Sequence, residues 1–333
     1  MGKKKIFFIT DTLMSFVNQD IEILKGRFDV RVIVVFHEIK NKQNPVSVVS
    51  LLYKLLKGII WSDIIFCWFA TDTAYVALRM ARIFRKKSVV VIGGYEVANE
   101  PGLNYGGLVK PQMASRIQYI LNNVTIVVPV SEFTKNEILQ ISGPSDVQLV
   151  YNSIDTEKYT PLGEKENIVI TVCYISKRNV AIKGLITFVN TAKLLPNVDF
   201  FIIGKDVDES AEQLKDISPP NLSFITNIPE DTLLRWYRKA KVYCQLSYRE
   251  SFGVALAEAM ACGCIPVITD RGAMHEITGD IGYQVPYGDA DATAEVIRKA
   301  LASHDGDRAR ERIVENFSSE KRERELVELV EEL

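Results

Sequence analysis

The sequence predicts an α/β protein made of two Rossmann-like, doubly wound parallel-sheet domains. Short β-branched and aromatic runs, apolar on both faces, alternate with longer segments of helical period. The alternation pauses once near mid-chain and then starts again, which marks two units rather than one. Strands apolar on both faces belong in a sheet covered by helices on each side. Repeated strand–helix–strand units then impose parallel pairing with right-handed crossovers.

Residues 6–10, 30–36, 64–68, 89–92, 125–130 and 148–150 read as the first set of strands. Amphipathic stretches at 16–24, 48–60, 73–84 and 132–141 read as helices between them. The pattern pauses at Tyr151-Asn152-Ser153-Ile154-Asp155 and a polar run from Pro161 to Asn167. Strands resume at 168–173, 200–203, 222–226, 242–246, 265–269 and 283–285, with helices at 185–195, 231–240, 254–261 and 292–301. A charged amphipathic helix over 319–333 closes the sequence. The expected domains are 1–155 and 156–316, with 317–333 packing back toward the N-terminal domain. Open α/β sheets hold ligands at the carboxyl ends of their strands, so two facing sheets predict a site in an interdomain cleft.

Lys and Arg total 40 against 42 Asp and Glu, a formal net charge of -2, which argues against a nucleic-acid partner. Cys67, Cys173, Cys244, Cys262 and Cys264 fall mostly in apolar runs and lack metal or redox spacing, so buried free thiols are expected. His37, His275 and His304 are too scattered for a zinc site, and the first and second of these read as ordinary surface or packing residues. The apolar run after Met1-Gly2-Lys3-Lys4-Lys5 ends at Asp11 and is too short for a signal peptide; the stretch 46–70 is broken by Lys54, Lys57 and Asp63. A cytoplasmic protein is expected.

The chemistry concentrates in residues 250–270, ESFGVALAEAMACGCIPVITD. A buried strand ends at Leu246, a polar turn follows, and a helix begins near Ser251–Gly253. Free N–H groups and the dipole at a helix start suit a diphosphate. Gly253 permits close backbone approach. Glu258, about two turns on, can accept hydrogen bonds from ribose hydroxyls, while Glu250 in the preceding loop can reach a sugar beyond the phosphate. The bland alternative is that carboxylates near a helix start simply answer the dipole. Against it, Glu258 sits among Ala255, Leu256, Ala259 and Met260, where an unpartnered carboxylate is costly.

Glu250-x7-Glu258, the following A-M-A-x-G-x-x-P-V and the acidic residue Glu276 resemble the hallmark of retaining GT-B glycosyltransferases of family 4. Asn152-Ser153-Ile154-Asp155 through Tyr159 and Pro161 resembles that family's interdomain segment, Lys183-Gly184 its lysine–glycine pair, and Ile202-Ile203-Gly204 its next strand end. The likeness is strong in the C-terminal half and weak over the first 150 residues. It implies a hexosyltransferase that moves a sugar from a nucleotide-diphosphate donor, GDP-mannose or a UDP-sugar, to a glycan, lipid-linked or small-molecule acceptor. It implies no metal and no cofactor. Carried over residue by residue, Glu250 contacts the donor sugar; Ser251, Phe252, Gly253 and Val254 contact sugar and diphosphate. Glu258 holds the ribose, Lys183 the phosphates, and Asn227 and Ile228 the base.

Three departures qualify the resemblance. Cys173-Tyr174 stands where the family usually has glycine–arginine, which passes the phosphate role to Arg178 or Lys177 in a long basic loop over 176–182. The glycine-rich loop after the first strand is replaced by Asp11-Thr12-Leu13-Met14-Ser15. Gly93-Gly94-Tyr95-Glu96 stands where many members place a histidine near the reacting sugar. There Gly94 and Tyr95 would contact the donor, and Glu96 would contact the donor sugar or acceptor and assist proton transfer as a catalytic residue, the alternative being a solvated loop acid. Asp206-Val207-Asp208 mimics a metal-binding Asp-x-Asp but reads as an acidic loop. Lys54, Lys57, Arg82, Arg85, Lys86 and Lys87 fit either an anionic bilayer carrying a lipid-linked acceptor or a solvated helix edge. Two alternatives stay open: a non-catalytic nucleotide-sugar-binding protein of the same fold, and a sugar-nucleotide epimerase.

Overall fold

The computed structural model describes residues 2–38 and 45–333, with the side chains of 37, 38, 45 and 46 left aside. The reading of His37 lies outside the described residues. The chain divides into two compact units: Met1–Asn152 together with Glu320–Leu333, and Ser153–Ser319.

The first unit is a five-stranded sheet in the order β2-β1-β3-β4-β5. Its strands are β1 (Lys5–Thr10), β2 (Asp29–Val34), β3 (Ile64–Trp68), β4 (Lys87–Ile92) and β5 (Ile126–Pro129). Every pair is parallel. β3 is buried along its whole length, as its sequence IIFCW demands. The second strand stops at Val34, two residues short of the sequence reading, because a short helix, Val35–Glu38, begins there. Residues 148–150 are not a strand. They run beside β5 with alternate amides only, Gln148 N–H to Val127 O at 3.0 Å and Val150 N–H to Pro129 O at 3.2 Å. Helix Pro111–Asn123, between β4 and β5, has no counterpart among the expected elements.

The closing helix, Ser319–Glu331, is pinned by a buried ion pair inside this unit. Arg322 Nε donates to Asp20 Oδ1 at 2.6 Å, and Trp68 Nε1 donates to Asp20 Oδ2 at 2.6 Å. Arg322 also donates to the carbonyls of Val150 (3.1 Å) and Tyr151 (2.5 Å). A charge removed from water is tolerable only with such complete pairing.

The second unit is a six-stranded sheet in the order β11-β10-β9-β6-β7-β8. Its strands are β6 (Glu166–Val172), β7 (Asp199–Gly204), β8 (Leu222–Thr226), β9 (Ala240–Gln245), β10 (Ile265–Thr269) and β11 (Tyr283–Val285), all parallel. The chain winds outward from β6 to β8 and then returns to lay β9 on the other side of β6. That reversal is a topological switch point, and it opens a crevice outside the carboxyl ends of β6 and β9. A helix unmarked in the sequence reading, Gly306–Phe317, caps others: Arg310 donates to Ala261 O at 2.9 Å and Arg312 to Ile277 O at 2.6 Å.

Candidate functional site

The residues at the β6/β9 switch point assemble the site. After β6 the chain forms helix Lys177–Ile182, ends it at Lys183, and restarts as helix Leu185–Leu194. The residue between the two must be glycine. Gly184 has φ +64°, and a Cβ there would lie 2.0 Å from the carbonyl oxygen of Leu246. The turn after β6 therefore sits flush on the turn after β9, and Tyr248 N–H bonds Ile182 O at 2.8 Å. This contact brings Lys183 to Glu250: Nζ and Oε2 are 2.6 Å apart, with side chains 23% and 17% exposed.

The Glu250 backbone is clamped from the opposite side. Ala273 N–H donates to Glu250 O at 2.9 Å, and a Cβ on Gly272 would stand 2.4 Å from that same oxygen. Three residues beyond Glu250, Gly253 (φ +92°) opens helix Val254–Ala261 with no side-chain cap on its first N–H groups. Ser251 and Val254 are half-buried beside it. Phe252 is buried, its ring packed on Phe317 at 5.6 Å between centroids, so only its backbone faces this turn.

Glu258 projects from the same helix into a tyrosine cluster. Tyr237 Oη donates to its Oε2 at 3.0 Å, and Tyr159 stacks edge-on to Tyr237 with centroids 6.1 Å apart. Tyr159 Oη in turn donates to Glu230 at 3.0 Å, which Lys158 holds at 2.6 Å. Burial pushes the Glu258 carboxyl up to about 7, against the pull of the two tyrosine hydroxyls. Tyr159 belongs to the interdomain motif, but Tyr237 carries no sequence signal of its own, since an aromatic on an amphipathic helix reads as core.

The stretch 176–182 is a helix rather than the expected loop, because Ser176 caps it by accepting from Asn179 N–H at 3.3 Å. Lys177 and Arg178 are exposed on its first turn. Lys177 N–H donates to Asp208 Oδ2 at 3.0 Å, and Ser210 donates to Asp208 Oδ1 at 2.6 Å. The Asp208 carboxylate is thus engaged in local capping. Tyr174 is exposed, while burial raises the Cys173 thiol to about 11. Asn227 follows β8 in a left-handed turn (φ +58°), exposed, with Ile228 half-buried after it.

In the first unit, Gly93-Gly94-Tyr95-Glu96 follows β4. Glu96 is not the solvated loop acid of the alternative reading. It is 2% exposed and turned inward, where Oε1 accepts from Gly93 N–H (3.2 Å) and Ala70 N–H (3.3 Å), and Oε2 from Gly94 N–H (2.9 Å). Burial raises this carboxyl above its ordinary value, against the pull of its own amide and the three others. Glu96 therefore clasps the turns after β3 and β4. Tyr95 is half-buried with its ring edge-on to Tyr105 at 5.1 Å.

With this geometry in place, residues 154–319 match the family model described as Glycosyl transferases group 1. The segment is a member of that family. Among relatives, N-acetyl-alpha-D-glucosaminyl L-malate synthase of Bacillus anthracis is 27% identical over 235 residues, covering 63% of this chain and 60% of the relative. Phosphatidyl-myo-inositol mannosyltransferase of Mycolicibacterium smegmatis is 33% identical over 135 residues, 38% of this chain and 35% of the relative. The chain thus spans less than two thirds of either curated relative. Among solved structures, Anabaena HepE in complex with UDP and glucose superposes with a TM-score of 0.81 at 15% identity, covering 99% of this chain and 100% of that one. Sucrose-phosphate synthase from Thermosynechococcus elongatus gives 0.79 at 16% identity, covering 99% of each chain. The group 1 segment and the five-stranded unit before it have the GT-B fold class.

Proposed function

We propose that this chain is a retaining hexosyltransferase that moves a sugar from a nucleotide-diphosphate donor, GDP-mannose or a UDP-sugar, to a glycan, lipid-linked or small-molecule acceptor. One observation carries the reading: the Lys183–Glu250 pair, 2.6 Å apart at the switch point of the group 1 segment, beside an uncapped helix start. Cation, carboxylate and free N–H groups are what a sugar diphosphate requires in one place. Lys183 and the first turn of helix Val254–Ala261 would take the diphosphate, Glu250 the sugar hydroxyls, and Glu258 the ribose.

As the sugar leaves, negative charge grows on the nucleotide diphosphate, and cations already in place stabilise it most where it is largest. Lys183 serves that role, with Arg178 and Lys177 on the exposed helix turn as the further cations, and no divalent metal is required of them. The sugar would pass through an oxocarbenium-like state, with the acceptor attacking from the face the phosphate leaves and the phosphate taking its proton. Glu96, bonded to three amides, acts as a brace for the Gly93–Gly94 turn rather than as an acid or base. Asn227 and Ile228 would meet the base.

A peripheral contact with an anionic membrane belongs to the same reading. Helix Pro45–Trp61 exposes Val49, Leu52, Tyr53 and Ile60 beside Lys54 and Lys57. Among the described residues no helix is long and apolar enough to cross a membrane.

The test is thermal stabilisation by UDP, GDP, UDP-glucose, UDP-N-acetylglucosamine and GDP-mannose in EDTA, on the wild type and on Glu258→Ala. A ligand of the folded state alone must raise its melting temperature. One nucleotide family should do so, with the shift lost in the variant. A flat response to all five sinks the reading.

A further inference from the structure

Gln245 is the last residue of β9, a central strand, and is 3% exposed. A buried primary amide in such a strand is costly unless its groups are satisfied. Here they are satisfied in one direction only. Tyr243 Oη donates to Gln245 Oε1 at 2.9 Å, which turns the amide nitrogen the other way. That Nε2 donates to Ser247 Oγ at 2.7 Å and to Glu250 Oε2 at 3.2 Å. Lys183 Nζ reaches the same Oε2 at 2.6 Å. Two donors converge on one carboxylate oxygen, and Oε1 accepts from none of the described residues.

We infer that Gln245 is a positioning residue for the sugar-binding carboxylate. With Lys183 it fixes Oε2 and leaves Oε1 for a hydroxyl of the donor sugar. The inference rests on the proposed role of Glu250. The two donors are not equivalent. An ammonium on a four-carbon stem holds a carboxylate in many orientations, and a bound diphosphate would compete for it. The planar amide of Gln245, itself oriented by the buried Tyr243 hydroxyl, permits one orientation and keeps it when Lys183 turns to phosphate. Such support of a binding group through its neighbours is how geometry is held before the ligand arrives.

Gln245→Met keeps the volume and removes both polar ends, and Tyr243→Phe removes only the hydroxyl that orients the amide. Calorimetry would give Kd for UDP, UDP-glucose, GDP and GDP-mannose with wild type and both variants. In Gln245→Met, nucleoside diphosphate affinity should stay within about twofold, while the ratio of sugar-nucleotide to diphosphate affinity falls about tenfold, ~1.4 kcal/mol. Tyr243→Phe should shift that ratio the same way by a smaller factor, and it carries the test if Gln245→Met does not fold. An unchanged ratio, or an equal loss for diphosphate and sugar nucleotide, overturns the positioning role alone. Wild type that binds no nucleotide overturns the donor reading and this inference with it.

Discussion

Replacing Glu258 by glutamine should make the protein more stable and a poorer binder of nucleotide, and the size of the first effect should depend on pH. The folded carboxyl stands at about 7, raised from 4.5 by burial. Between those values the native state holds its proton more tightly than the unfolded chain, so stability falls as pH rises across this window. Above pH 7 the cost of carrying the desolvated charge is complete. At 1.36 kcal/mol per pH unit it amounts to up to about 3 kcal/mol. Glutamine is never charged and its carbonyl can still accept from Tyr237. The variant and wild type should therefore be nearly equal at pH 4.5 and separate to about 3 kcal/mol at pH 8. For a unit of this size that is roughly 6–12 °C in melting temperature. The assay is thermal and urea unfolding at pH 4.5, 6, 7 and 8, followed by nucleotide binding at pH 8. Nucleoside diphosphate affinity should fall by about 1.5–3 kcal/mol, the range for a hydrogen bond to a charged acceptor. A gap that is the same at every pH, or a variant less stable at pH 8, would refute the picture of a desolvated carboxylate held for a ligand.

Three further outcomes are expected. Gly184→Ala forces a left-handed backbone on an L side chain and drives its Cβ into Leu246 O, so urea unfolding should show a loss above about 2 kcal/mol and nucleotide binding should weaken as the two turns part. Lys183→Met should lower nucleoside diphosphate affinity by about 10- to 100-fold in calorimetry. Arg322→Ala strips Asp20 of its partner in the core, and denaturant unfolding monitored by tryptophan fluorescence should report a loss of about 3–5 kcal/mol.

Much of the fold was legible because buried parallel strands leave a plain trace. β8, β10 and β11 coincide with their apolar runs in the sequence. Helix Pro111–Asn123 left little trace because it buries only Ile117, Ile120 and Leu121 in a narrow stripe. Helix Gly306–Phe317 is hidden by charge, GDRARERIVENF, its buried stripe reduced to Ala309, Ile313 and Phe317. Lys177 and Arg178 read as loop because a one-and-a-half-turn helix carries no period, and the Ser176 cap was its only sign. At the site, Lys183, Gly184, Glu250 and Glu258 stood out as a spaced set. Tyr237, Gly272 and Gln245 did not. Each lies in a segment whose pattern is fully explained by packing, and only its neighbours in space distinguish it.

The Asp20–Arg322 pair also orders events in time. The two residues are separated by 302 positions, and the whole second unit lies between them. At about 5–20 residues per second, a ribosome delivers Arg322 roughly 15–60 s after Asp20. During that interval Asp20 has the Trp68 indole but not its arginine, while the chain of the six-stranded unit emerges complete. The later-made unit can therefore finish folding first. For the earlier-made one the final helix is the closing step, and a nascent chain arrested before Arg322 would hold the buried Asp20 carboxylate without its cation.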